Sequence, residues 1–306
     1  MGFMAKPKFN LRDFQRMFPD DDTCLEWLLN SLYPEGVECP VCKKVTRHHK
    51  LKGRKAYSCD TCGHQVHPTA GTIFHKSSTP LTLWFYAIYL MSSTRTGIPA
   101  KQIERELGVT YKTAWRMFKQ IRSMLADGGF AGKLSGTVET DDTLVYQKPR
   151  RYFRAPTAKY PKSCIVGAVE RDGRIRAKAY GPNKTVFLEN FVVENVEPGS
   201  TVYTDENAQY RHLANQGYTH GKVTHWNHQY VDGIIHTNTI EGFWGNFKTG
   251  LRGAYKHCGV HYLQSYVNEY AFRHNHRNSE CSMFYHFMGQ IKQLDWWVPY
   301  AQRVDR

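Results

Sequence analysis

The chain has 306 residues, of which 41% are hydrophobic, so it can bury a sizeable core and form about two or three domains. Its 41 lysines and arginines outnumber its 27 aspartates and glutamates, and the formal net charge is +14. This charge favours a nucleic-acid partner, although a soluble basic protein without one stays open on charge alone. No apolar run is long enough for a membrane span and MGFMAKPKFN lacks a signal-peptide pattern, so we expect no membrane partner and a cytoplasmic location.

The first segment, residues 1–36, is predicted to be helical. Residues 11–33 hold a helical pair, and the stretch DDDTCLEWLLNSLY places acidic residues before an apolar periodic run. Aspartate at a helix start accepts hydrogen bonds from backbone N–H groups that have no partner within the helix. We therefore interpret the acidic run from Asp20 to Asp22 as a helix cap rather than a metal site.

Two pairs of cysteines follow within residues 37–75. Cys39 and Cys42 form one C-x2-C pair, Cys59 and Cys62 form a second, and 16 residues separate the pairs. Each pair can place two thiolates on one ion, and the two pairs complete a tetrahedral structural site. Two disulfides or a redox pair are the alternatives, which the missing secretory signal and the scattered other cysteines disfavour. The spacing predicts a zinc ribbon that binds one Zn²⁺ in a reducing compartment.

The insert between the two cysteine pairs, KKVTRHHKLKGRK, is basic. A hairpin pair this short and polar requires the metal for its stability. We expect Arg54 and Lys55 of this insert to contact DNA, while a protein contact is the alternative. Because four cysteines already complete the metal shell, we interpret the nearby histidines as DNA-facing or structural: His48, His49, His64 and His67.

Residues 76–126 are predicted to form a helix-turn-helix domain. LTLWFYAIYLMSS is typical of a buried helix, and in IPAKQIERELGVTYKTAWRMFKQIR one helix ends near Leu107 and a second begins at about Tyr111. The second helix of such a motif enters the major groove of DNA. Its expected DNA-contacting residues are Lys112, Arg116, Lys119 and Arg122, and its expected packing residues are Ala114, Trp115 and Phe118. An ordinary pair of amphipathic helices is the alternative.

A linker rich in glycine, residues 127–136, precedes a predicted catalytic domain with C-terminal helices at residues 137–306. We predict the strands TVETDDTLVY, SCIVGAVE and RIRAKAY, a helix near TVFLENFVVENV, the strand STVYTD, a helix at AQYRHLANQ, and the segment YTHGKVTH. This order is that of a mixed ribonuclease-H-like sheet flanked by helices. The insert QKPRRYFRAPTAKYPK combines cations that could hold the DNA backbone with aromatic residues that could stack on unpaired bases. A solvated hairpin loop is the alternative.

Three acids and a lysine occur at specific gaps. The pattern is D-x63-D-x35-E-x6-K, formed by Asp141, Asp205, Glu241 and Lys248. Carboxylates from two strands and a helix can converge on two divalent cations, which clamp the attacking and leaving oxygens of a phosphodiester displacement. Without its context, such a triplet also arises by chance among 27 acids. The predicted strands that carry the two aspartates favour the catalytic interpretation.

Glu241 opens a predicted helix, TIEGFWGNFKTGL. Apolar residues at three- and four-residue steps form its packing face: Ile240, Phe243, Trp244 and Phe247. Glu241 and Lys248 lie about two turns apart on a neighbouring face, and Asn238 joins them. We expect Asn238 and Lys248 to belong to the catalytic site, where Lys248 holds DNA phosphate. A solvated surface lysine is the alternative for Lys248.

Several segments occur together in a known order: CPVC with SCDTCGHQVHPTAGTIFH, the tract TGIPAKQIERELGVTYKTAWRMFKQIR, VETDDT, YTDENAQY, and HTNTIEGFWGNFKTGLRGAYKHC with YVNEYAFRHNHR. In these segments, from about residue 10 to residue 277, the chain resembles the zinc-ribbon DDE transposases of bacterial insertion sequences, the ISXO-type group related to the Merlin elements. That family's first catalytic aspartate is the third residue of E-x-D-[ED]-T, here Asp141, and Asp142 replaces the usual glutamate. Strand alternation points Asp141 and Asp142 to opposite faces, so only one can serve.

The resemblance implies a DNA transposase of α/β fold, with a ribonuclease-H-like catalytic domain preceded by a zinc ribbon and a helix-turn-helix domain. It implies that Asp141, Asp205 and Glu241 bind two Mg²⁺ ions, or Mn²⁺ ions in their place. It also implies that an activated water frees a 3′ hydroxyl at each element end and that this hydroxyl then attacks target DNA. It further implies binding to terminal inverted repeats in double-stranded DNA, a homodimer or larger assembly, and a bacterial, nucleoid-associated location. A nuclease or resolvase that cuts without joining, and a DNA-binding regulator that needs no acids, are the alternatives.

Overall fold

A computed structural model describes residues 9–126, 129–146, 162–171, 173–181, 186–223, 236–256 and 258–292. The chain divides into two units, both discontinuous in sequence. The first unit comprises the described residues of Met1–Thr94, Ala100–Met124 and Ser279–Arg306. The second comprises the described residues of Arg95–Pro99 and Leu125–Asn278. Within the described ranges, no helix combines the length and apolar character that crossing a membrane requires.

The helices and strands follow the chain in alternating groups. The helices are α1 (Leu11–Met17), α2 (Asp21–Leu32), α3 (Leu81–Ser93), α4 (Ala100–Leu107), α5 (Tyr111–Ser123), α6 (Leu188–Asn195), α7 (Asn238–Gly253), α8 (Leu263–Asn275) and α9 (Met283–Met288). The strands are β1 (Glu38–Cys39), β2 (Lys44–Val45), β3 (His48–Lys50), β4 (Tyr57–Cys59), β5 (Gln65–Val66), β6 (Thr137–Tyr146), β7 (Lys162–Glu170), β8 (Ile175–Tyr180), β9 (Thr201–Thr204) and β10 (Thr219–Lys222).

Side-chain caps define the start of α1 and α2. The Asn10 side chain accepts from the backbone N–H of Asp13 at 3.3 Å, and the Asp13 carboxylate accepts from the backbone N–H of Asn10 at 3.1 Å. Asp20 accepts from the backbone N–H of Thr23 at 2.7 Å. These bonds satisfy N–H groups that lack a partner within the helix. The predicted helical pair and the capping role of Asp20 are confirmed.

An aromatic cluster forms part of the core of the first unit. Phe14 on α1 and Phe284 on α9 are both buried, with 6.0 Å between their ring centroids. The Phe284 ring also stacks on Phe9, with 4.5 Å between centroids. Burial of these rings against each other removes their apolar surface from water. Helix α9 therefore belongs to the first unit, and the predicted catalytic domain, 137–306, extends too far at its C-terminal end.

The tract predicted as a helix-turn-helix forms two helices with the expected bounds, because α4 ends at Leu107 and α5 begins at Tyr111. Gly108, between them, has a φ of +63°, a conformation that favours glycine. The Thr110 side chain then caps α5 by accepting from the backbone N–H of Thr113 at 3.3 Å. The helix pair is confirmed, and its use in reading DNA stays a prediction.

The second unit is built on a five-stranded mixed sheet with the order β10-β9-β6-β7-β8. Strands β6, β7 and β8 pair antiparallel, whereas β9 is parallel to both β6 and β10. Val166 and Ala168 of β7 pack in one core with Phe191 of α6, whereas a Cβ added at Gly167 would meet Trp244 of α7 at 2.9 Å. Alternate side chains of a strand face opposite sides, so α6 and α7 cover opposite faces of the sheet. The predicted mixed α/β class is confirmed, as is the predicted order along the chain of three strands, a helix and a fourth strand.

Two predictions about the second unit need correction. The described part of residues 127–136 is more than a linker, because Leu134 is buried in the core and its backbone N–H donates to the Asn195 carbonyl at 2.8 Å. AQYRHLANQ forms two 3-10 turns rather than one helix, and the second ends at Gly217, whose φ is +87°. The insert predicted to contact DNA lies outside the described residues apart from Lys162, its last residue.

Candidate active site and metal centre

Four cysteine sulfurs converge in the ribbon of the first unit. The Sγ atoms of Cys39, Cys42, Cys59 and Cys62 all lie within 4.8 Å of one another. The Sγ atoms of Cys39 and Cys62 are 3.5 Å apart, and those of Cys42 and Cys59 are 3.9 Å apart. Tetrahedral zinc with Zn–S bonds of about 2.3 Å requires sulfur separations of about 3.8 Å. The cluster therefore fits one structural Zn²⁺.

The two cysteine pairs share one backbone turn. In each turn, the residue after the second cysteine donates its N–H to the carbonyl of the first, Lys43 to Cys39 at 2.8 Å and Gly63 to Cys59 at 2.9 Å. Both donors have positive φ, 54° for Lys43 and 74° for Gly63. Glycine adopts this conformation freely, whereas lysine is strained there by roughly 1 kcal/mol. The C-x2-C spacing therefore imposes this turn even where the residue after the second cysteine is Lys43 and not glycine.

The thiols of the cluster differ in proton affinity. The Thr46 hydroxyl, 3.2 Å from the Cys59 Sγ, is the main cause that lowers the pKa of Cys59 to about 5. Contact with the Cys62 thiol is the main cause that raises the pKa of Cys42 to about 12. Four adjacent thiols cannot all ionise without a cation, whereas a bound metal deprotonates its coordinating thiols. The donor set therefore suits zinc and disfavours four free thiolates.

Two of the histidines near the cluster have structural partners. The Nδ1 atom of His48 lies 2.9 Å from the carbonyl oxygen of Thr46. The Nδ1 atom of His49 lies 2.6 Å from Oδ1 of Asp60. Among the described residues, the group with metal-ligand spacing consists of the four cysteines alone, without a histidine.

The two basic residues predicted to contact DNA from the ribbon differ in their surroundings. Arg54 is exposed. Lys55 donates to the backbone carbonyl of Thr79 at 3.2 Å, and its Nζ lies 3.8 Å from the Asp21 carboxylate. Because Lys55 is held by partners within the first unit, its predicted contact with DNA is not supported.

Helix α5 exposes three of its four predicted DNA-contacting cations, Lys112, Arg116 and Lys119. Arg116 also donates to the backbone carbonyl of His75 at 3.0 Å but, unlike the half-buried Lys55, stays exposed. Arg122 is 1% exposed, and its guanidinium lies 3.7 Å from the ring centroid of Phe118. The prediction that Arg122 faces DNA is therefore wrong. At about 100° per residue, Arg122 lies about 40° from Phe118 around the helix and about 80° from Lys112, which places it at the margin of the packing face.

The three predicted metal-binding acids come from the central strand β6, from the end of its neighbour β9 and from helix α7, which packs on β6. Asp141 lies on β6, Asp205 directly follows β9, and Glu241 lies in the first turn of α7. Because β6 and β9 are parallel neighbours with Glu139 paired to Tyr203, Asp141 in the middle of β6 lies level with Asp205, just beyond the end of β9. The charges of Asp205 and Glu241 both act on the Asp141 carboxyl.

Asp141 is strongly affected by this crowding. Burial, followed by the charges of Asp205 and Asp142, raises the pKa of the Asp141 carboxyl to about 7. Carboxylates close together in a poorly hydrated site repel one another, and a divalent cation relieves that repulsion. A set of carboxylate oxygens suits Mg²⁺ or Mn²⁺, which prefer oxygen ligands. The donor chemistry of the three acids thus suits these metals, but among the described residues their oxygens do not form a group with metal-ligand spacing, so metal binding here stays a prediction.

Asp141 and Asp142 face opposite sides of the sheet, as strand alternation predicts. The Trp244 Nε1 of α7 donates to Oδ2 of Asp141 at 3.1 Å. On the other side, Sγ of Cys164 lies 3.6 Å from Oδ2 of Asp142. Burial and then the Asp142 charge raise the pKa of the Tyr210 hydroxyl, which lies in the core beside α6. Asp141 is thus the aspartate that shares a face with α7.

Helix α7 separates a buried face from an exposed face. Its predicted packing residues are all buried: Ile240, Phe243, Trp244 and Phe247. Asn238, the first residue of the helix, and Glu241 are exposed, and Lys248 is half-buried. The Thr237 hydroxyl donates to Oε1 of Glu241 at 2.9 Å and thereby orients this carboxylate.

Sequence reasoning did not single out Glu139, and it assigned Trp244 to packing alone. Glu139 is 0% exposed, and its carboxylate accepts from the backbone N–H groups of Thr239 at 2.8 Å and Ile240 at 3.3 Å. The Nε of Arg171 lies 3.3 Å from the same carboxylate. The sequence did contain a signal for Glu139: it is an acid in the part of VETDDTLVY that forms the core. A buried carboxylate requires charged or hydrogen-bonding partners, so a partner for Glu139 could have been expected.

Two family descriptions match the chain. The ISXO2-like transposase domain matches residues 133–275, which contain all strands of the five-stranded sheet and the three acids. The transposase zinc-ribbon domain matches residues 19–65, which contain the four clustered cysteines.

A protein described as an uncharacterized protein in transposable element ISH50 of Halobacterium salinarum is 29% identical over 227 residues, which are 67% of this chain and 74% of that protein. A solved Mos1 transposase paired-end complex with the left transposon end matches at 8% identity and a TM-score of 0.29, over 63% of this chain and 74% of that chain. The Mos1 strand transfer complex matches at 9% identity and a TM-score of 0.28, over 67% and 76%. TM-scores this low do not establish a common fold. The chain thus carries a segment that matches the transposase zinc-ribbon domain, followed by a segment that matches the ISXO2-like transposase domain.

Proposed function

We propose that this protein is a cut-and-join transposase that binds the terminal inverted repeats of its own insertion sequence, cleaves the element ends and joins the freed 3′ hydroxyls to target DNA. The proposal rests on the placement of Asp141 and Asp205 on, and directly after, the neighbouring parallel strands β6 and β9, on the charges of Asp205 and Glu241 that act on Asp141, and on the match to a transposase domain. A protein that only binds DNA gains nothing from such a cluster, because carboxylates repel phosphate.

The three carboxylates would hold the divalent cations. Two Mg²⁺ ions, or Mn²⁺ in their place, supply the charge that activates the attacking oxygen and stabilises the leaving oxygen of a phosphodiester. The chain itself orients the carboxylates, Asp141 through the Trp244 N–H at 3.1 Å and Glu241 through the Thr237 hydroxyl at 2.9 Å. A preorganised set of charges needs little rearrangement when the DNA arrives.

Asn238 and Lys248 extend the site along α7. They lie about one turn before and two turns after Glu241, on the same side of the helix. The Lys248 ammonium would hold a backbone phosphate, and the Asn238 amide would donate to a phosphate or sugar oxygen. In these roles both residues place the scissile bond and do not bind the metal.

The first unit would recognise the inverted repeats. Its exposed cations on α5 suit a recognition helix in a major groove, and Arg54 suits a backbone contact from the ribbon. Lys55 and Arg122 are left out of this surface because both are held within the first unit. Since two element ends must be processed together, we include a homodimer or larger assembly on DNA in the proposal.

The proposal is tested by removing the charge of each acid while keeping its shape. Asp141→Asn, Asp205→Asn and Glu241→Gln should each abolish end cleavage and strand transfer in Mg²⁺, because the charge that balances the cations is lost. DNA binding should be unchanged or slightly tighter, since repulsion of phosphate is reduced. Cleavage and joining are measured on labelled element ends, and binding by mobility shift.

Two neighbouring acids provide matched controls. Asp142→Asn and Glu206→Gln alter residues next to the proposed ligands, one facing away from α7 and one exposed, and both should retain activity. An active Asp141→Asn beside an inactive Asp142→Asn would move the first ligand by one residue. Cleavage without joining by the wild-type protein would identify a nuclease or resolvase, and specific binding without cleavage a DNA-binding regulator.

A further inference from the structure

We infer that Glu139 and Trp244 are positioning residues, which attach strand β6 to helix α7 at two points and thereby fix where Asp141 and Glu241 lie relative to each other. We call these two contacts the strand–helix attachment. The inference rests on the proposed function, because it assigns the spacing of two acids that the proposal makes metal ligands.

The first point of attachment is Glu139 at the N-terminus of α7. Its carboxylate accepts from the backbone N–H of Thr239 at 2.8 Å, the Thr239 hydroxyl at 2.9 Å and the backbone N–H of Ile240 at 3.3 Å. Free N–H groups and the helix dipole make a helix N-terminus favourable for a carboxylate. Because Glu139 is fully buried, these bonds are shielded from water and fix the start of α7 on β6.

The second point is Trp244, one to two turns further along α7. Its indole N–H donates to Oδ2 of Asp141 at 3.1 Å, and its ring covers Gly167 of β7, where an added Cβ would lie 2.9 Å from the ring. The missing side chain at Gly167 lets the indole reach across β7 to the aspartate. A partner that fixes a ligating carboxylate from behind commonly sets its orientation and metal affinity.

The two points together remove the main freedoms of the helix. Glu139 and Asp141 lie on the same face of β6 because side chains alternate along a strand. On α7, Glu241 lies between Ile240 and Trp244, the residues that make contact at the two points. A helix attached at a single point is able to pivot, whereas attachment at two points fixes both its rotation and its distance from the strand. The separation of Asp141 and Glu241 follows from this geometry.

Trp244→Phe tests the second point. The change keeps an aromatic ring over Gly167 but removes the N–H donor, so we expect Mn²⁺ binding to the DNA-free protein to weaken by about tenfold. Binding is measured from the electron paramagnetic resonance signal of free Mn²⁺. Trp84→Phe is the matched control, since Trp84 is also buried and donates its N–H to the Ser77 hydroxyl at 2.9 Å in the first unit. It should leave Mn²⁺ binding unchanged.

Glu139→Gln tests the first point. Glutamine keeps the side-chain shape and one acceptor oxygen. It removes the negative charge that interacts with the N-terminus of α7 and with Arg171. Mn²⁺ binding should therefore again weaken by about tenfold or more. In both variants turnover at saturating Mn²⁺ should recover more than turnover at low Mn²⁺. A purely structural defect lowers activity at all metal concentrations alike.

Asp141→Asn separates failure of this inference from failure of the proposed function. If Asp141→Asn loses Mn²⁺ binding while Trp244→Phe and Glu139→Gln bind as wild type, the attachment is overturned and the metal site stands. If Asp141→Asn itself binds Mn²⁺ as wild type, both are overturned. Weaker binding in Trp244→Phe with unchanged binding in Trp84→Phe supports the attachment.

Discussion

Glu139, which is buried, and Asp141, which is half-buried, are acids on the same face of β6, yet their surroundings differ. Glu139 faces a guanidinium and the N–H groups of a helix start, whereas Asp141 faces the charges of Asp205 and Glu241. The charge of Glu139 has partners within the protein, whereas the repulsion at Asp141 is relieved either by a proton or by a cation from solution. This contrast gives Glu139 a structural role and supports metal binding at Asp141.

The raised pKa of Asp141 predicts how stability depends on pH. A carboxyl whose folded pKa is about 7, above the unfolded value of about 3.9, binds its proton more tightly in the folded state, so stability falls as pH rises from about 4 to 7. Asp141→Asn does not titrate and should unfold at a higher temperature than wild type at about pH 8, on the order of a few degrees. Circular dichroism melts without added divalent cations measure this difference.

The gain in Asp141→Asn should vanish below about pH 4, where the wild-type carboxyl is protonated in both states. Added Mg²⁺ should stabilise the wild type and leave the variant unchanged, because the variant lacks a ligand. Glu206→Gln is the control and should follow wild type at every pH, since Glu206 is exposed. Equal stability of Asp141→Asn and wild type at about pH 8 would contradict the crowding described for this site.

At the scale of elements, the sequence predicted what depends on neighbours along the chain. β6 coincides with TVETDDTLVY, and α5 begins at Tyr111, because strand alternation, caps and turn glycines are local signals. The burial of Arg122 needed the position of the Phe118 ring, which charge pattern alone does not supply. The bond between Glu139 and Thr239 joins residues 100 positions apart, and no periodicity reports such a contact.

Substituting the exposed cations of α5 one at a time tests DNA recognition more specifically than altering the whole helix. Lys112→Ala and Arg116→Ala should each weaken binding to inverted-repeat DNA by about 1 to 3 kcal/mol if the side chains reach base edges. Arg16→Ala is the control, because Arg16 is an exposed cation on α1 paired with Asp13 at 2.9 Å. Footprinting at moderate salt measures the affinities, and unchanged affinity in both variants would remove α5 as the recognition helix.

At the scale of the whole molecule, the metal cluster and the five-stranded sheet lie in different units. The second unit has a core of its own that includes Leu134, Val166, Phe191 and Val202. Units with separate cores need not unfold together. Loss of zinc should therefore damage the ribbon and spare the sheet.

Elemental analysis should find one zinc per chain, and Cys59→Ser should lose most of it, because one of four thiolates is removed from the cluster. Limited proteolysis of this variant should cut the ribbon and leave the second unit, including residues 125–278, intact. Cys281→Ser is the control, since Cys281 is exposed and outside the cluster, and it should keep its zinc. Protein produced with ample zinc yet free of the metal would contradict the assignment.

The position of α9 in the first unit determines the order in which the protein is completed during synthesis. The ribosome makes the helices up to α5 first, then the whole second unit, and only then Phe284, whose ring stacks on Phe9. At about 5 to 20 residues per second, the interval between α5 and α9 is on the order of ten seconds. For that time the first unit lacks part of its aromatic core while the sheet, β6 and α7 are already complete. A message shortened before α9 would thus yield a complete five-stranded sheet together with a first unit that lacks part of its aromatic core.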